Sequence, residues 1–161
     1  DDGRQQTVES SHVKRVQKTI KETGEWFIPH VVEPAFGIDR ILWHVLDHAF
    51  VETEKASEPY RVLKLSKTIS PIDVAIFPLF EKDGMGAIAH DLHQRCCATS
   101  GLVSLYDASG SIGKRYARAD EIGIPICVTI DHQSIEDQTV TLRNRDDGTQ
   151  TRVSIDELPF L

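Results

Sequence analysis

The chain has 161 residues, 40% of them hydrophobic and 27% charged, a soluble-globular composition long enough for one ordinary domain and part of another. Its formal net charge of −7 excludes broad, charge-driven attachment to nucleic acid, so any RNA contact has to come from a local basic cluster. No apolar run approaches the ~20 residues that span a bilayer, and no membrane association is expected. Three cysteines, two of them adjacent at Cys96 and Cys97, make no disulfide framework, and a reducing, cytoplasmic location is the expectation. The sequence opens Asp1-Asp2, has Met85 as its only methionine and stops at Pro159-Phe160-Leu161, as expected of an excised fragment or a processed chain.

Residues 8 to 24 have helix-like spacing, with Val13, Val16 and Ile20 on one side and Gly24 as the stop; the frequency of Val and Thr leaves a strand open. Trp26 to Val32 is a short apolar run interrupted by Pro29 and reads as a partly buried strand. Ile38, Ile41, Leu42, Val45, Leu46 and Phe50 then fall on one face of an amphipathic helix, fed by the turn Pro34-Ala35-Phe36-Gly37. Residues 51 to 70 are polar and mixed, and the domain boundary is placed there. Beyond it come a buried strand (Ile72 to Leu79), a helix (Gly84 to Ser100), a strand (Leu102 to Tyr106), a helix (Ser111 to Ile122) and a strand (Ile124 to Ile130). This β-α-β-α-β order predicts parallel neighbours covered by helices. Gln138 to Arg143 and Gln150 to Ile155 alternate polar and apolar about Asp146-Asp147-Gly148, a favoured hairpin turn, and Ser154-x-x-Glu157 reads as a capping box opening a further helix. The predicted fold is α/β, with a mixed five-stranded sheet flanked by helices.

Two stretches carry chemistry. In Glu33 to Arg40, Arg40 falls in the first turn of the amphipathic helix, where a guanidinium can fork onto phosphate oxygens or lie over a purine, and Glu33 can hold an ammonium group. A buried ion pair tying strand to helix is an equally open reading of the same residues. In Tyr106 to Pro125, a glycine- and serine-rich turn opens a helix whose N-terminal amides can accept an anion. At 100° per residue Ile112, Tyr116 and Ala119 face the core and Lys114 and Arg118 face away, with Arg115 between. Three cations in five residues after a flexible turn can cradle an RNA backbone; a solvated basic face is the alternative.

Val32-Glu33-Pro34-Ala35-Phe36-Gly37-Ile38-Asp39-Arg40-Ile41 resembles motif 3 of the class II aminoacyl-tRNA synthetases, in the form found in glycyl-tRNA synthetases of archaea and eukaryotes. Ser109-Gly110-Ser111-Ile112-Gly113-Lys114-Arg115-Tyr116-Ala117-Arg118-Ala119-Asp120-Glu121-Ile122-Gly123 is nearly a signature of that family's anticodon-binding domain, with Ala119 for the usual threonine. Val13 to Thr19 resembles the stretch this family has shortly before motif 3, and Thr139 to Asp146 and Ile155 to Pro159 resemble its closing hairpin and following helix, so the resemblance covers roughly residues 13 to 161. Synthetases for histidine, proline and threonine share the architecture without this long motif. The resemblance implies a remnant of a class II catalytic domain over residues 1–55, a linker over 56–70 and an anticodon-binding domain over 71–161. It implies that Arg40 is the catalytic, ATP-binding arginine and that Glu33, Pro34 and Ala35 line the glycine pocket. Ser109, Ser111, Lys114, Arg115 and Arg118 would contact the glycine tRNA. ATP with Mg2+ in the full-length enzyme, glycine, glycine tRNA and a homodimeric parent follow as expectations, with nothing bound to the fragment and the fragment inactive by itself. Ala35 stands where the family has serine, and a non-catalytic nucleic-acid-binding accessory protein on the same scaffold is the alternative.

His90, His93, Cys96 and Cys97 on one predicted helix suggest zinc, but one helix rarely closes a tetrahedral site unaided. His44 and His48, four apart, lack the glutamate of a zinc-protease helix. No metal site is expected.

Overall fold

The computed structural model describes residues 3–158 apart from Glu22 and Ala56. The chain divides into two compact units, Asp1–Ala35 and Phe36–Leu161. Within the first, the described residues form one 3-10 turn, Ser10–His12, and no other regular element. The helix expected over residues 8 to 24 and the strand expected over Trp26 to Val32 are therefore both absent there. The apolar pattern exists, but Val16 and Ile20 are each 75% exposed, and a short amphipathic helix rich in β-branched residues is marginal without a surface to bury its face. A lone strand interrupted by Pro29 is in the same position.

The second unit opens with helix α1, Ile38–Ala49, whose first backbone bond runs from the Ile41 N–H to Gly37 O at 3.0 Å. Strands β1 (Phe50–Lys55) and β2 (Glu58–Leu63) follow as an antiparallel hairpin, with Glu52 opposite Arg61. The stretch expected to be a linker thus contributes a strand, and the compact unit begins at Phe36, well before residue 71. Cross-strand charge pairing, Arg61 Nε to Glu52 Oε2 at 3.3 Å, occupies the exposed side, while Val62 is buried. Polarity on one face of a hairpin is easily mistaken for a linker.

The main sheet holds β3 (Val74–Pro78), β4 (Ser104–Tyr106), β5 (Ile126–Ile130), β6 (Thr139–Asn144) and β7 (Gln150–Ser154) in the order β4-β3-β5-β6-β7. The first three are parallel and β6 and β7 antiparallel, as the sequence predicts. Helix α2 (Met85–Ala98) links β3 to β4, and α3 (Ile112–Ile122) links β4 to β5. All five positions of β3 are buried, which its uninterrupted apolar run anticipates for a strand covered on both faces. Alternate residues serve opposite cores. Val74 and Ile76 pack with Val128, Ile130 and the Met85, Ala89, Leu92 and Cys96 face of α2. Ala75 and Phe77 pack with Cys127, Ile124 and Ala119 on the α3 side. A short helix absent from the sequence reading, α4 (His132–Asp137), is opened by a capping box in which the Ser134 N–H donates to Asp131 Oδ1 at 3.1 Å. Ser154 makes no side-chain cap, and Ile155–Glu157 forms only a 3-10 turn; any helix beyond it, with Pro159, lies outside the described residues.

One buried network joins the hairpin, α3 and the sheet. Arg143 on β6 donates to both carboxylate oxygens of Asp120 on α3, each at 2.8 Å, with side chains 8% and 1% exposed. The Tyr60 hydroxyl on β2 donates to the same carboxylate, and the Arg143 guanidinium lies 4.9 Å from the centre of the Tyr116 ring. Burial, then the bond to Asp120, pushes the Tyr60 phenol up to about 12. At the end of α3, Gly123 adopts φ +91, and a Cβ there would stand 2.9 Å from Leu63 O, so only glycine lets β2 approach this closely.

Removing one member of a buried pair strands the other's charge. Asp120→Ala is expected to lower unfolding stability by about 3–5 kcal/mol in urea titration, whereas the double replacement Asp120→Leu with Arg143→Met recovers most of it. A double variant no more stable than the single one would refute this account of the pair.

Candidate functional site

The connection leaving β3 through α2 runs over one face of the sheet, and the one leaving β4 through α3 runs over the other. Neighbouring parallel strands whose crossovers diverge leave a crevice at their carboxyl ends, a preferred ligand position in open α/β sheets. Here that crevice has a volume of about 470 Å³ and is lined by Leu79, Phe80, Lys82, Gly110, Ser111 and Arg115 among others.

Its wall is the start of α3. Ser111 is the N-cap residue, but its side chain makes no capping hydrogen bond, and no acidic residue occupies the first turn. The first amides of a helix have no intrahelical partner, and here they carry the positive end of the helix dipole without a side chain to quench it.

The turn before α3 is held from both ends. Asp107 accepts from the Ser109 N–H at 2.8 Å and the Ser109 hydroxyl at 2.6 Å, and Gly110 adopts φ +69. Arg118 reaches back from the next helical turn to donate to Asp107 Oδ2 at 2.5 Å and to Ser109 O at 2.8 Å. Its charge is therefore paired with a carboxylate, although the side chain remains 42% exposed. Burial pushes the Asp107 carboxyl up, but the Ser109 hydroxyl, Arg118 and the Ser109 amide outweigh it and hold the group below its ordinary value.

Arg115, placed between the two helical faces by its spacing and made a tRNA contact by the resemblance, is 3% exposed. Its guanidinium donates to Pro78 O, to Leu79 O at 3.5 Å and to Gly110 O at 2.9 Å, joining the end of β3 to the turn before α3. Its Nε is buried without a partner among the described residues. Arg115 and the exposed Ser111 line the crevice; Ser109 and Lys114 are exposed on the neighbouring turn and the first turn of α3, outside its lining. Sequence reading missed Phe80 and Lys82. The available signal was their place just after the first strand of a β-α-β unit, where binding loops concentrate.

The residues assigned to the other stretch are divided by the unit boundary. Glu33, Pro34 and Ala35 belong to Asp1–Ala35 and are exposed without regular structure; Arg40 is exposed on the first turn of α1 in Phe36–Leu161. The amphipathic helix forms as expected, without the strand that was to precede it.

The histidines and cysteines are distributed to other tasks. Cys96 is buried in the α2 core, and His90 stacks on Tyr106 with ring centres 4.3 Å apart. His93 Nδ1 is 2.9 Å from Ser104 Oγ. Among the described residues no three of His, Cys, Asp and Glu gather as metal ligands, and no helix is long and apolar enough to cross a membrane.

Comparison with known proteins places this geometry. Residues 73–160 match the family described as the anticodon binding domain. The chain is 48% identical over 149 residues to the glycine–tRNA ligase of Methanococcus maripaludis, covering 92% of this chain and 25% of that protein. The ligases of Archaeoglobus fulgidus and Methanocaldococcus jannaschii are each 48% identical, over 83% and 91% of this chain and 23% and 24% of their own lengths. The chain thus spans about a quarter of the relatives it matches. Among solved structures, the RNA binding domain of threonyl-tRNA synthetase from Cryptosporidium parvum superimposes with a TM-score of 0.53 at 24% identity, over 58% of this chain and 23% of that one. That likeness concerns the fold.

Because the Asp107 carboxyl is depressed, the stability it contributes is present above the ordinary carboxylate range and lost as pH falls through the lowered value. Asp107→Asn is expected to cost about 0.5–1 kcal/mol at pH 7. The gap from wild type should close as pH falls below the ordinary aspartate value of about 3.9, read by thermal unfolding at stepped pH. Parallel profiles for the two proteins would show that the carboxylate does not hold the turn.

Proposed function

The chain belongs to the anticodon binding domain family, and from that premise we propose that the carboxyl edge of its parallel strands binds the anticodon stem–loop of a glycine tRNA. The observation that carries this reading is the uncapped start of α3 opening into the crevice beside Lys82, with Lys114 exposed on the first turn of the same helix. Helix N-termini and flexible turns offer amides to phosphate oxygens, and exposed lysines add charge without a fixed geometry. Ser109, Ser111 and Lys114 contact the RNA directly. Arg118, held by Asp107, contributes its exposed edge, and Arg115 acts through the loop it supports. With a net charge of −7, the domain makes few phosphate contacts and its affinity falls gently with salt.

The identity to glycine–tRNA ligases supports extending the reading to the longer parent, an ATP-dependent, cytosolic, homodimeric ligase. In that enzyme Arg40 contacts ATP, and Glu33, Pro34 and Ala35 line the glycine pocket. An exposed guanidinium in a helical first turn suits phosphate, and it can stabilise charge on the phosphates as the adenylate forms. Ala35 removes the family's hydroxyl from the glycine pocket.

Two measurements test the reading. Titration of the glycine tRNA and an unrelated tRNA at several salt concentrations should show tighter binding of the former. Lys114→Ala should weaken binding of both and reduce the salt slope by roughly 1; unchanged affinity would remove Lys114 from the interface. In the full-length parent, glycine-dependent pyrophosphate exchange should fall about 10²–10³-fold in Arg40→Ala, and the 161 residues alone should give none. Exchange by the isolated chain would overturn the division of labour, and its absence from the parent would favour the non-catalytic accessory reading.

A further inference from the structure

Phe80 is 56% exposed at the mouth of the crevice, directly after β3, and it is not needed by either hydrophobic core. A single exposed phenylalanine is unremarkable on a protein surface; its surroundings make this one informative. It lines the same cavity as Gly110, Ser111, Lys82 and Arg115, so an apolar ring face and an open helix N-terminus share one concave space. The ring of His132, just past the end of β5, lies 6.2 Å from that of Phe80 at an interplanar angle of 43°. At the floor, the buried Arg115 Nε is one acceptor short, an unusual deficit for a buried polar group. A volume of about 470 Å³ is within the ~300–1,000 Å³ of small-ligand pockets and suits a single nucleotide.

We infer that Phe80 is a base-stacking platform: one unpaired nucleotide of a single-stranded RNA loop places its base on the Phe80 ring and its phosphate at the first amides of α3. This deepens the tRNA-binding reading and rests on it. The chemistry discriminates among ligands. Paired bases in a duplex keep their faces stacked on one another, so only an unstacked base presents a face to the ring. Phenylalanine has no hydrogen-bonding group, so the contact accepts any base, and recognition of base identity falls to the polar rim. Glu81, whose carboxylate accepts from the Tyr106 hydroxyl at 3.1 Å, lines the same cavity and disfavours a second phosphate there. The ligand is therefore a base with one phosphate and not a polyphosphate.

The test uses the full chain with a short single-stranded RNA carrying 2-aminopurine at one loop position, alongside the corresponding free 2-aminopurine nucleoside monophosphate. The RNA should bind with a fluorescence change that Phe80→Ala abolishes, with affinity reduced about tenfold by loss of one stacked base. Phe80→Trp should retain both. The salt slope should stay the same in all three proteins, because stacking releases no counterions. Circular dichroism melts should coincide, since Phe80 lies outside the cores. RNA binding of undiminished affinity and signal in Phe80→Ala overturns the platform while leaving the tRNA-binding reading standing. Absence of RNA binding to any of the three overturns both. Binding of the free nucleotide without the RNA overturns the assignment of the pocket to RNA.

Discussion

The bidentate pair between Asp120 and Arg143 is the contact through which the second unit holds together as one body. Asp120 belongs to α3, Arg143 to β6, and Tyr60 brings β2 to the same carboxylate. Two charges in a site this enclosed are tolerable only when every lone pair and proton is answered. The carboxylate does so by accepting both guanidinium N–H groups and the phenol. Tyr116 covers the guanidinium from above. The arrangement fixes the rotation of α3 about its own axis, because Asp120 can meet Arg143 in only one orientation of the helix.

That orientation is what Arg115, five residues earlier on the same helix, converts into a site. With Asp120 locked to the sheet, Arg115 is carried under the end of β3, where it gathers the carbonyls of Pro78, Leu79 and Gly110. A buried cation held by backbone carbonyls makes no direct contact with a ligand through those groups, but it draws two loops into a fixed separation. The open amides of α3 and the exposed Ser111 then border a cavity whose width is set by covalent geometry and hydrogen bonds. Preorganisation of this kind reduces the ordering cost of binding, which matters for an acidic domain with few charges to spend on affinity.

The sequence was most informative where periodicity and burial coincide. The β3-α2-β4-α3-β5 order could be read from apolar runs because each element is covered by the next. Lys114 could be placed outside and Ala119 inside for the same reason. Arg115 could not, since its spacing left it between faces, and two of the three carbonyls that claim it, those of Pro78 and Leu79, belong to residues more than thirty positions earlier. The β1–β2 hairpin was obscured by its charged outer face, where Glu52 and Arg61 answer each other across the strands. Helix α4 spans six residues, too few for a periodic signal, and only the Asp131-x-x-Ser134 cap marks it. Residues 8 to 32 illustrate the opposite failure: an amphipathic pattern is present, but a pattern becomes a helix only against a surface. Phe80 was invisible because exposure, which gives it meaning, is a property of the folded chain.

The position of β3 also bears on how the chain reaches this state. It is the first strand of the main sheet to be synthesised and the most apolar, yet it ends up between β4 and β5, pairing Val74 with Ser104 on one side and with Ile126 on the other. Both partners are parallel and both require a complete helical crossover before they can dock. The β6–β7 hairpin, by contrast, closes through a local turn. During translation β3 therefore emerges with two unpaired edges and two bare faces and must wait for most of the domain before either is covered. Non-local pairing of this kind slows folding and prolongs exposure of aggregation-prone surface. The strand that gives the binding edge its rigid base is thus the one that stays uncovered longest as the domain is made.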